Sequence, residues 1–324
     1  MKQNILITSV GKRVVLTEIF KETRLLRHLT NKVFTTDFSP ALSPATYVSD
    51  FCFAVPRCTD DNYIPILLKL CIDNDIKVVI PTIDTELAVL ARNYSLFLEH
   101  GIQIVVSDIE FIEICRDKRK TNKLFKQLNI DIPSEIDKHN PRFPLFAKPY
   151  DGSLSCNTHH IEHPAQLTQE LLDDPKLIFM DYINPSEFSE FTVDLYYGQD
   201  HHLKCIVPRE RLTIRAGEIN NGITRKNIIV DYLKERISHI PGVRGVICLQ
   251  LFMHQTSGQI YGIEINPRFG GGYPLSYHAK ANYPLHIVDE YILGNEISYY
   301  DSWEGNTLML RYDKEIIVPN CDSV

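Results

Sequence analysis

The chain has 324 residues, of which 44% are hydrophobic and 23% are charged, a composition typical of a globular protein with room for two domains. Its formal net charge of -7 argues against broad nucleic-acid binding, because that activity depends on a positive surface field. No stretch approaches the roughly 20 consecutive apolar residues of a membrane helix, and the opening residues lack the charge-first order of a signal peptide. The sequence therefore predicts a soluble, cytoplasmic protein without a membrane partner.

The first third of the chain alternates strand signals with helix signals. The predicted strands are short apolar runs at residues 4–9, 32–37, 77–81 and 103–106. The predicted helices carry apolar side chains at helical spacing and span residues 14–29, 63–71 and 85–98. Such alternation predicts a parallel, doubly wound sheet, in which ligands bind beyond the carboxyl ends of the strands. The residues expected to lie near that crevice are Ser9, Gly11, Asp37, Asp84 and Glu86.

The remainder of the chain opens with a predicted basic helix at residues 116–128 and then becomes rich in strands. Strands are predicted at residues 144–148, 176–182, 189–197, 202–207, 246–254 and 259–265. Helices are predicted at residues 162–172, 226–237 and 285–292. The last two of these strands form a predicted hairpin around Ser257-Gly258, and the tail after residue 307 holds one or two further strands.

The hairpin carries the strongest chemical pattern. Gln250 is one polar residue in an apolar strand, and a buried amide needs partners. Glu264 and Asn266 lie on one face of the next strand, because strand side chains alternate. On paired strands these three side chains would form a cluster of oxygen ligands suited to Mg²⁺ bridged to phosphates, with Mn²⁺ as a variant. The alternative interpretation is a hairpin whose polar side chains only satisfy one another.

Two neighbouring features extend this pattern. Arg268 falls two residues after Asn266 in the same alternating pattern, and its guanidinium can bind a phosphate or a carboxylate through two hydrogen bonds. Three glycines at 270–272 let the backbone approach a ligand closely. A Gln, then a Glu fourteen positions later, then x-Asn-x-Arg resembles the metal site of the ATP-grasp superfamily, closest to the synthetase domains of the carbamoyl phosphate synthase large subunit.

The resemblance implies a fold and its domains. Residues 1–115 would be a doubly wound, parallel-sheet substrate domain of the α/β class. An α+β, two-lobed ATP-grasp fold would follow, with a small lid subdomain at 116–183. Residues 184–324 would form the central, metal-binding subdomain with a C-terminal tail.

The resemblance also implies the residues that hold ATP. They are Lys118, Lys148, Asp151, Gly152, Ser153, Met180, Asp181, Tyr182 and Glu190. The two lysines would place positive charge on the phosphates, and the loop after Lys148 would cover the phosphates with backbone N–H groups. Residues 180–182 would contact the adenine. Glu190 would hold the ribose hydroxyls, with Glu187 as a competitor.

The catalytic residues that the resemblance implies are Arg268, Lys148, Arg211 and Arg215. The segment around Arg211 and Arg215 is interpreted either as an exposed basic edge or as an anion site for the acyl phosphate or the substrate carboxylate. Gln250, Glu264 and Asn266 would bind the metal ion.

Three functional hypotheses follow from these residues and from the resemblance. The preferred one is an ATP- and Mg²⁺-dependent ligase that activates a small-molecule carboxylate as an acyl phosphate for capture by an amine or another nucleophile. The assembly expected for it is a homodimer. The second is carbamoyl phosphate or carboxyphosphate chemistry by a single synthetase unit or a dimer. It is the less favoured one, because a carbamoyl phosphate synthase large subunit carries two such units and this chain has room for one. The third is a nucleotide-binding regulatory protein without turnover. Its support is a loop at 150–157 with one glycine, where the family has a glycine- and serine-rich flap.

Overall fold

The structure is a computed structural model that describes residues 3–152, 156–215 and 217–321. Its strands form three sheets that follow one another along the chain, with five, three and six strands. No helix in the described ranges is long and apolar enough to cross a membrane.

The first sheet is parallel throughout and has the order β3-β2-β1-β4-β5. Its strands are β1 (Asn4–Ile7), β2 (Val33–Asp37), β3 (Phe51–Ala54), β4 (Ile76–Ile80) and β5 (Gln103–Ile104). Its helices are α1 (Val14–Leu26), α2 (Tyr63–Asp73), α3 (Asp84–Arg92), α4 (Tyr94–Glu99) and α5 (Ile109–Arg116). Every residue of β1 is buried, because helices cover both faces of a doubly wound sheet. The predicted parallel sheet is therefore confirmed.

Two details of this sheet differ from the prediction. The strand β3 was not predicted, since all four of its residues are exposed at the sheet edge and carry no burial pattern. The helix predicted at 85–98 is divided at Asn93, where α3 ends and α4 begins. Asn93 Nδ2 donates to the carbonyl of Val89, the local side-chain-to-backbone bond that competes with helix continuation.

The second sheet is small and antiparallel, with β6 at its centre. Its elements are α6 (Lys118–Gln127), β6 (Leu145–Pro149), β7 (His159–Ile161), α7 (Gln169–Asp173) and β8 (Leu177–Asp181). The helix predicted at 162–172 is wrong over its first half. A short 3-10 turn, Pro164–Gln166, replaces it, and α7 begins only after Thr168 caps it by accepting a hydrogen bond from the Leu171 N–H.

The third sheet is antiparallel and has the order β13-β12-β9-β10-β11-β14. Its strands are β9 (Phe188–Tyr197), β10 (Leu203–Arg215), β11 (Glu218–Thr224), β12 (Gly245–His254), β13 (Ile260–Asn266) and β14 (Leu308–Leu310). Its helices are α8 (Ile228–Ile237), α9 (Tyr273–His278) and α10 (Tyr283–Ile287), followed by a π-helix at Val288–Ile292. The predicted β12–β13 hairpin is confirmed.

One hydrophobic core joins the first sheet to the third. The cluster that contains Ile5, Ile7 and Phe20 also contains Val207 and Phe269. The first sheet therefore packs against the third, and Asp84, which follows β4, contacts Arg268, which follows β13.

Candidate active site

Strand register brings the predicted metal ligands together. Gln250 pairs directly with Glu264 across β12 and β13, and Asn266 lies two residues further on the same face. The Gln250 Nε2 donates to Glu264 Oε1 at 2.8 Å, and the Asn266 Nδ2 donates to the same oxygen at 3.0 Å. One carboxylate therefore lies between two amides, as the hairpin pattern predicts.

Two lysines, one at the start of α6 and one on β6, lie near this carboxylate. Lys118 is the first residue of α6, which Asp117 caps, and its Nζ lies 3.7 Å from Glu264 Oε2. Lys148, on β6, interacts electrostatically with both Glu264 and Lys118. Burial lowers the pKa of Lys148 to about 8, an effect that Glu264 opposes and Lys118 reinforces. Both predicted phosphate lysines thus converge on the predicted metal site.

The donor set fits a magnesium ion that arrives with a nucleotide. Within the described residues, no group of three or more His, Cys, Asp and Glu side chains forms a metal cage. The hairpin instead offers the Glu264 carboxylate and the side-chain amides of Gln250 and Asn266. Rotation of these amide groups would make their oxygens available to a metal ion. Mg²⁺ favours such partial oxygen sets, completed by phosphates and water.

Glu190 and Arg211 form an ion pair beside this cluster. Arg211 Nη1 lies 2.5 Å from Glu190 Oε1 and 3.4 Å from Gln250 Oε1. Burial raises the pKa of Glu190, and Arg211 opposes the rise. Arg215 lies elsewhere, in an exposed ion pair with Asp313 at 2.6 Å. The structure thus brings Arg211, but not Arg215, to the cluster.

The predicted flap residues surround Lys118. The Lys118 Nζ donates to the carbonyl of Gly152, and the Lys118 N–H donates to the carbonyl of Tyr150 at 2.8 Å. The Asp151 carboxylate forms an ion pair with Lys176 at 2.8 Å. Ser153, which was also predicted to contact phosphate, lies outside the described residues.

The predicted adenine segment lies at the end of β8. Met180 is buried, and the Asp181 carboxylate accepts two hydrogen bonds from Arg142, each 2.8 Å long. The Tyr182 ring stacks on His160 with 3.8 Å between ring centroids. The β-strand partner of His160, Phe146, also pairs with Met180, which places these side chains on one face of the small sheet.

Arg268 connects the glycine segment to the first sheet. Its Nη2 donates to Asp84 Oδ2 at 2.8 Å, and Asp84 begins α3 directly after β4. Glu86, which follows, is fully buried and accepts hydrogen bonds from Ser9 Oγ and from the Thr82 N–H, each 2.7 Å long. Glu86 therefore fixes the backbone that presents Asp84.

A buried ion pair that the sequence did not indicate supports the glycine segment. Arg209 and Asp194 are 1% and 0% exposed, and two hydrogen bonds of 2.7 and 2.9 Å join them. A Cβ on Gly272 would lie 2.2 Å from Arg209 Nη1. Glycine at 272 is therefore required by this close approach. The one sequence signal for this ion pair is the alternation of side chains along β9 and β10, which places Asp194 and Arg209 on the same face of the sheet.

Sequence reasoning also missed Arg13. It follows β1 at the start of α1, and its Nη2 donates to the carbonyl of Thr82 at 3.4 Å. Its position between β1 and α1, beyond the carboxyl end of a parallel strand, was the signal that could have identified it.

Two family profiles match the sequence. One, described as "PylC-like, N-terminal domain", matches residues 5–105, and the other, "ATP-grasp in the biosynthetic pathway with Ter operon", matches residues 173–308. A curated relative, the carbamoyl phosphate synthase large chain of Thermoanaerobacter sp. (strain X514), is 25% identical over 232 residues, which cover 62% of this chain. The match covers 20% of that relative, so the chain spans a small part of its length.

Several solved structures share the fold. N5-carboxyaminoimidazole synthetase from Staphylococcus aureus, complexed with ADP, has a TM-score of 0.70 and 16% identity, over 96% of this chain and 81% of that one. The biotin carboxylase domain of the 2-oxoglutarate carboxylase from Hydrogenobacter thermophilus, with MgADP and bicarbonate, gives 0.69 and 12%, over 94% and 73%. The L-amino acid ligase from Bacillus licheniformis gives 0.66 and 17%, over 90% and 74%.

Proposed function

We infer that this chain, which belongs to the ATP-grasp superfamily, is an ATP- and Mg²⁺-dependent ligase that activates a carboxylate as an acyl phosphate and transfers the acyl group to an amine. The predicted fold class, a parallel-sheet domain followed by a two-lobed ATP-grasp fold, is confirmed. The substrates and the roles of individual residues are proposed below.

One observation carries the proposal. Lys118 and Lys148 approach Glu264, while Gln250 and Asn266 flank the same carboxylate on the third sheet. Two cations beside one carboxylate and two amides suit the triphosphate of a nucleotide and its magnesium ion. Two of the structures with the same fold contain ADP, one of them as its magnesium salt.

The chain's own residues mainly position reactants and neutralise charge, which is what phosphoryl transfer requires. Lys118 and Lys148 bind the phosphate oxygens, and Arg268 orients the substrate carboxylate in line with the terminal phosphorus. A magnesium ion held by Glu264, Gln250 and Asn266 would supply further charge neutralisation. The carboxylate oxygen bonds to phosphorus as the bond to ADP breaks, which gives an acyl phosphate and ADP.

The second half of the reaction is acyl transfer. The amine nitrogen attacks the acyl carbon, phosphate leaves with the bonding electrons, and the amine loses a proton. Arg211 lies beside the cluster and can stabilise the developing negative charge. The loop after Lys148 and residues 180–182 are proposed to cover the nucleotide, with Glu190 or Glu187 on the ribose.

The test is an ADP-release screen of carboxylates against amines, with product masses measured. The proposal requires at least one acid–amine pair that releases ADP and phosphate in equal amounts with the ligated product. It also requires magnesium, with manganese as a substitute. Nucleotide binding without ADP release across the panel would instead support the non-catalytic alternative.

The match to carbamoyl phosphate synthase favours one further candidate. A single synthetase unit could phosphorylate bicarbonate or carbamate at the same cluster. ADP release driven by bicarbonate without any organic acid would identify this chemistry. The predicted homodimer can be tested separately by light scattering on the purified protein.

A further inference from the structure

Two guanidinium groups from different parts of the chain meet at one short segment after β4. Arg13 donates to the Thr82 carbonyl at 3.4 Å, and Arg268 donates to the Asp84 carboxylate at 2.8 Å. Residues 82 and 84 are two peptide units apart, a reach of at most about 7 Å. Both cations therefore lie at the carboxyl end of β4, where parallel sheets bind ligands.

The two carboxylates that act on Arg13 already have other partners. They are Asp84 and Glu218. Asp84 is paired with Arg268, and Glu218 is paired with Arg311 at 3.1 Å. Among the described residues the Arg13 guanidinium forms no ion pair, and its one hydrogen bond is the 3.4 Å contact with the Thr82 carbonyl.

The electrostatic effect on Arg13 agrees with this arrangement. Burial lowers the pKa of Arg13, and the neighbouring Arg268 guanidinium lowers it further, while Glu218 and Asp84 oppose the change. Holding a guanidinium in a low-dielectric crevice beside another is unfavourable unless an anion is shared between them. Arg13 also has unused donors, since a guanidinium offers five N–H groups in a fork that matches a carboxylate.

We propose that Arg13 and Arg268 together form an anion subsite that holds a carboxylate of the acid substrate. Arg13 belongs to the first domain, and Arg268 follows β13 of the third sheet. The proposal rests on the proposed ligase function and extends it by assigning the first domain a direct contact with the acid. Arg13 is thus a specificity-determining residue, whereas Glu218 and Arg311 line one side of the subsite. Arg311 is held in place by its hydrogen bond to the carbonyl of Gly271.

The test compares Arg13→Gln with Lys12→Gln. Lys12 is the exposed neighbour, so its replacement removes the same charge without touching the subsite. With the acid that gives the fastest ADP release, we expect Arg13→Gln to raise the KM for that acid about 10–100-fold, the usual loss for a bidentate charged contact. The KM for ATP should stay within about twofold, and Arg13→Lys should restore part of the affinity for the acid.

A merely structural role of Arg13 predicts a different result. It would lower the melting temperature and affect both substrates alike, and it would not distinguish Arg13→Lys from Arg13→Gln. An unchanged KM for the acid in Arg13→Gln overturns the subsite while leaving the ligase function intact.

A binding measurement separates the two claims if no acid drives ADP release in the unmodified protein, a result that would overturn the ligase function. Acetate, succinate, L-glutamate and bicarbonate are then added to the protein with MgADP, against sodium chloride of equal ionic strength. The subsite predicts that at least one of them raises the melting temperature of the unmodified protein and of Lys12→Gln, but not of Arg13→Gln. Stabilisation that is absent, or equal in all three proteins, overturns the subsite.

Discussion

Arg268 Nη2 lies 2.8 Å from Asp84 Oδ2, and this contact joins the segment after the β12–β13 hairpin to the first residue of α3. The two residues are separated by 184 positions in the chain. The guanidinium that we place on the substrate carboxylate is therefore oriented by a side chain of the first domain. The contact also sets the position of Arg268 relative to Glu264, four residues earlier.

Replacing Asp84 by Asn should impair use of the acid without impairing nucleotide binding. The amide keeps the size but removes the charge that holds Arg268, so we expect kcat/KM for the acid to fall about 5–100-fold, a loss of 1–3 kcal/mol. Asp73→Asn is the matched control, because Asp73 pairs with Lys69 on the exposed side of α2. Equal acid kinetics in both variants would contradict this role of Asp84.

Glu264→Gln should abolish turnover while the fold persists. Glu264 is the carboxylate that accepts hydrogen bonds from both Gln250 and Asn266, so its loss would remove the charge that we propose attracts a divalent cation. We expect ADP release to fall about 1,000-fold or more at saturating ATP. The control is Glu235→Gln, whose side chain is 75% exposed. Circular dichroism should be unchanged in both variants, and magnesium-dependent turnover above a tenth of normal in Glu264→Gln would contradict the assignment.

Lys148 should impose a basic limb on the pH profile. Its pKa is lowered to about 8, so the ammonium that attracts phosphate is present below pH 8 and is lost as the pH rises through that value. We expect kcat/KM for ATP to fall with one proton's dependence above pH 8. In Lys148→Arg the limb should disappear from the accessible range, because a guanidinium stays protonated there. If kcat/KM for ATP still falls above pH 8 in Lys148→Arg, the fall is caused by another titrating group.

The same shift has a consequence for folding, of opposite sign to the effect on activity. The unfolded chain has the ordinary lysine pKa of 10.5, so between pH 8 and that value it binds more protons than the folded protein. The contribution of Lys148 to the free energy of unfolding should therefore rise with pH across that window. Replacing Lys148 by Met should remove this contribution, which chemical denaturation at several pH values can measure.

Gly272→Ala should destabilise the protein, whereas Gly305→Ala should not. A Cβ at residue 272 would lie 2.2 Å from Arg209 Nη1 and 2.4 Å from Ile219 Cγ2. We expect a loss of about 1–3 kcal/mol or more from overpacking, together with reduced turnover as the segment around Arg268 moves. At residue 305 the nearest atom is Lys226 Cγ at 3.4 Å, an ordinary contact. Equal melting temperatures for the two variants would contradict the packing argument.

Local periodicity determined much of the fold in advance. The alternation of apolar strands with amphipathic helices predicted the parallel sheet, because strands buried on both faces read as continuous apolar runs. The positions of Gln250, Glu264 and Asn266 predicted their cluster, since a hairpin pairs strands that are neighbours in sequence and side chains alternate on them. Lys118 and Lys148 followed from resemblance to the family rather than from any local physical rule.

Other features depended on contacts between distant segments. The edge strand β3 has no buried face, so no periodicity marks it. Arg215 looked equivalent to Arg211 in sequence, yet the tail gives it Asp313 as a partner while Glu190 holds Arg211. The Arg209–Asp194 pair and the proximity of Arg13 to Arg268 could be found only from the tertiary structure. Electrostatic energy depends on distance and burial rather than on spacing along the chain, so only the tertiary structure decided which charges share a site.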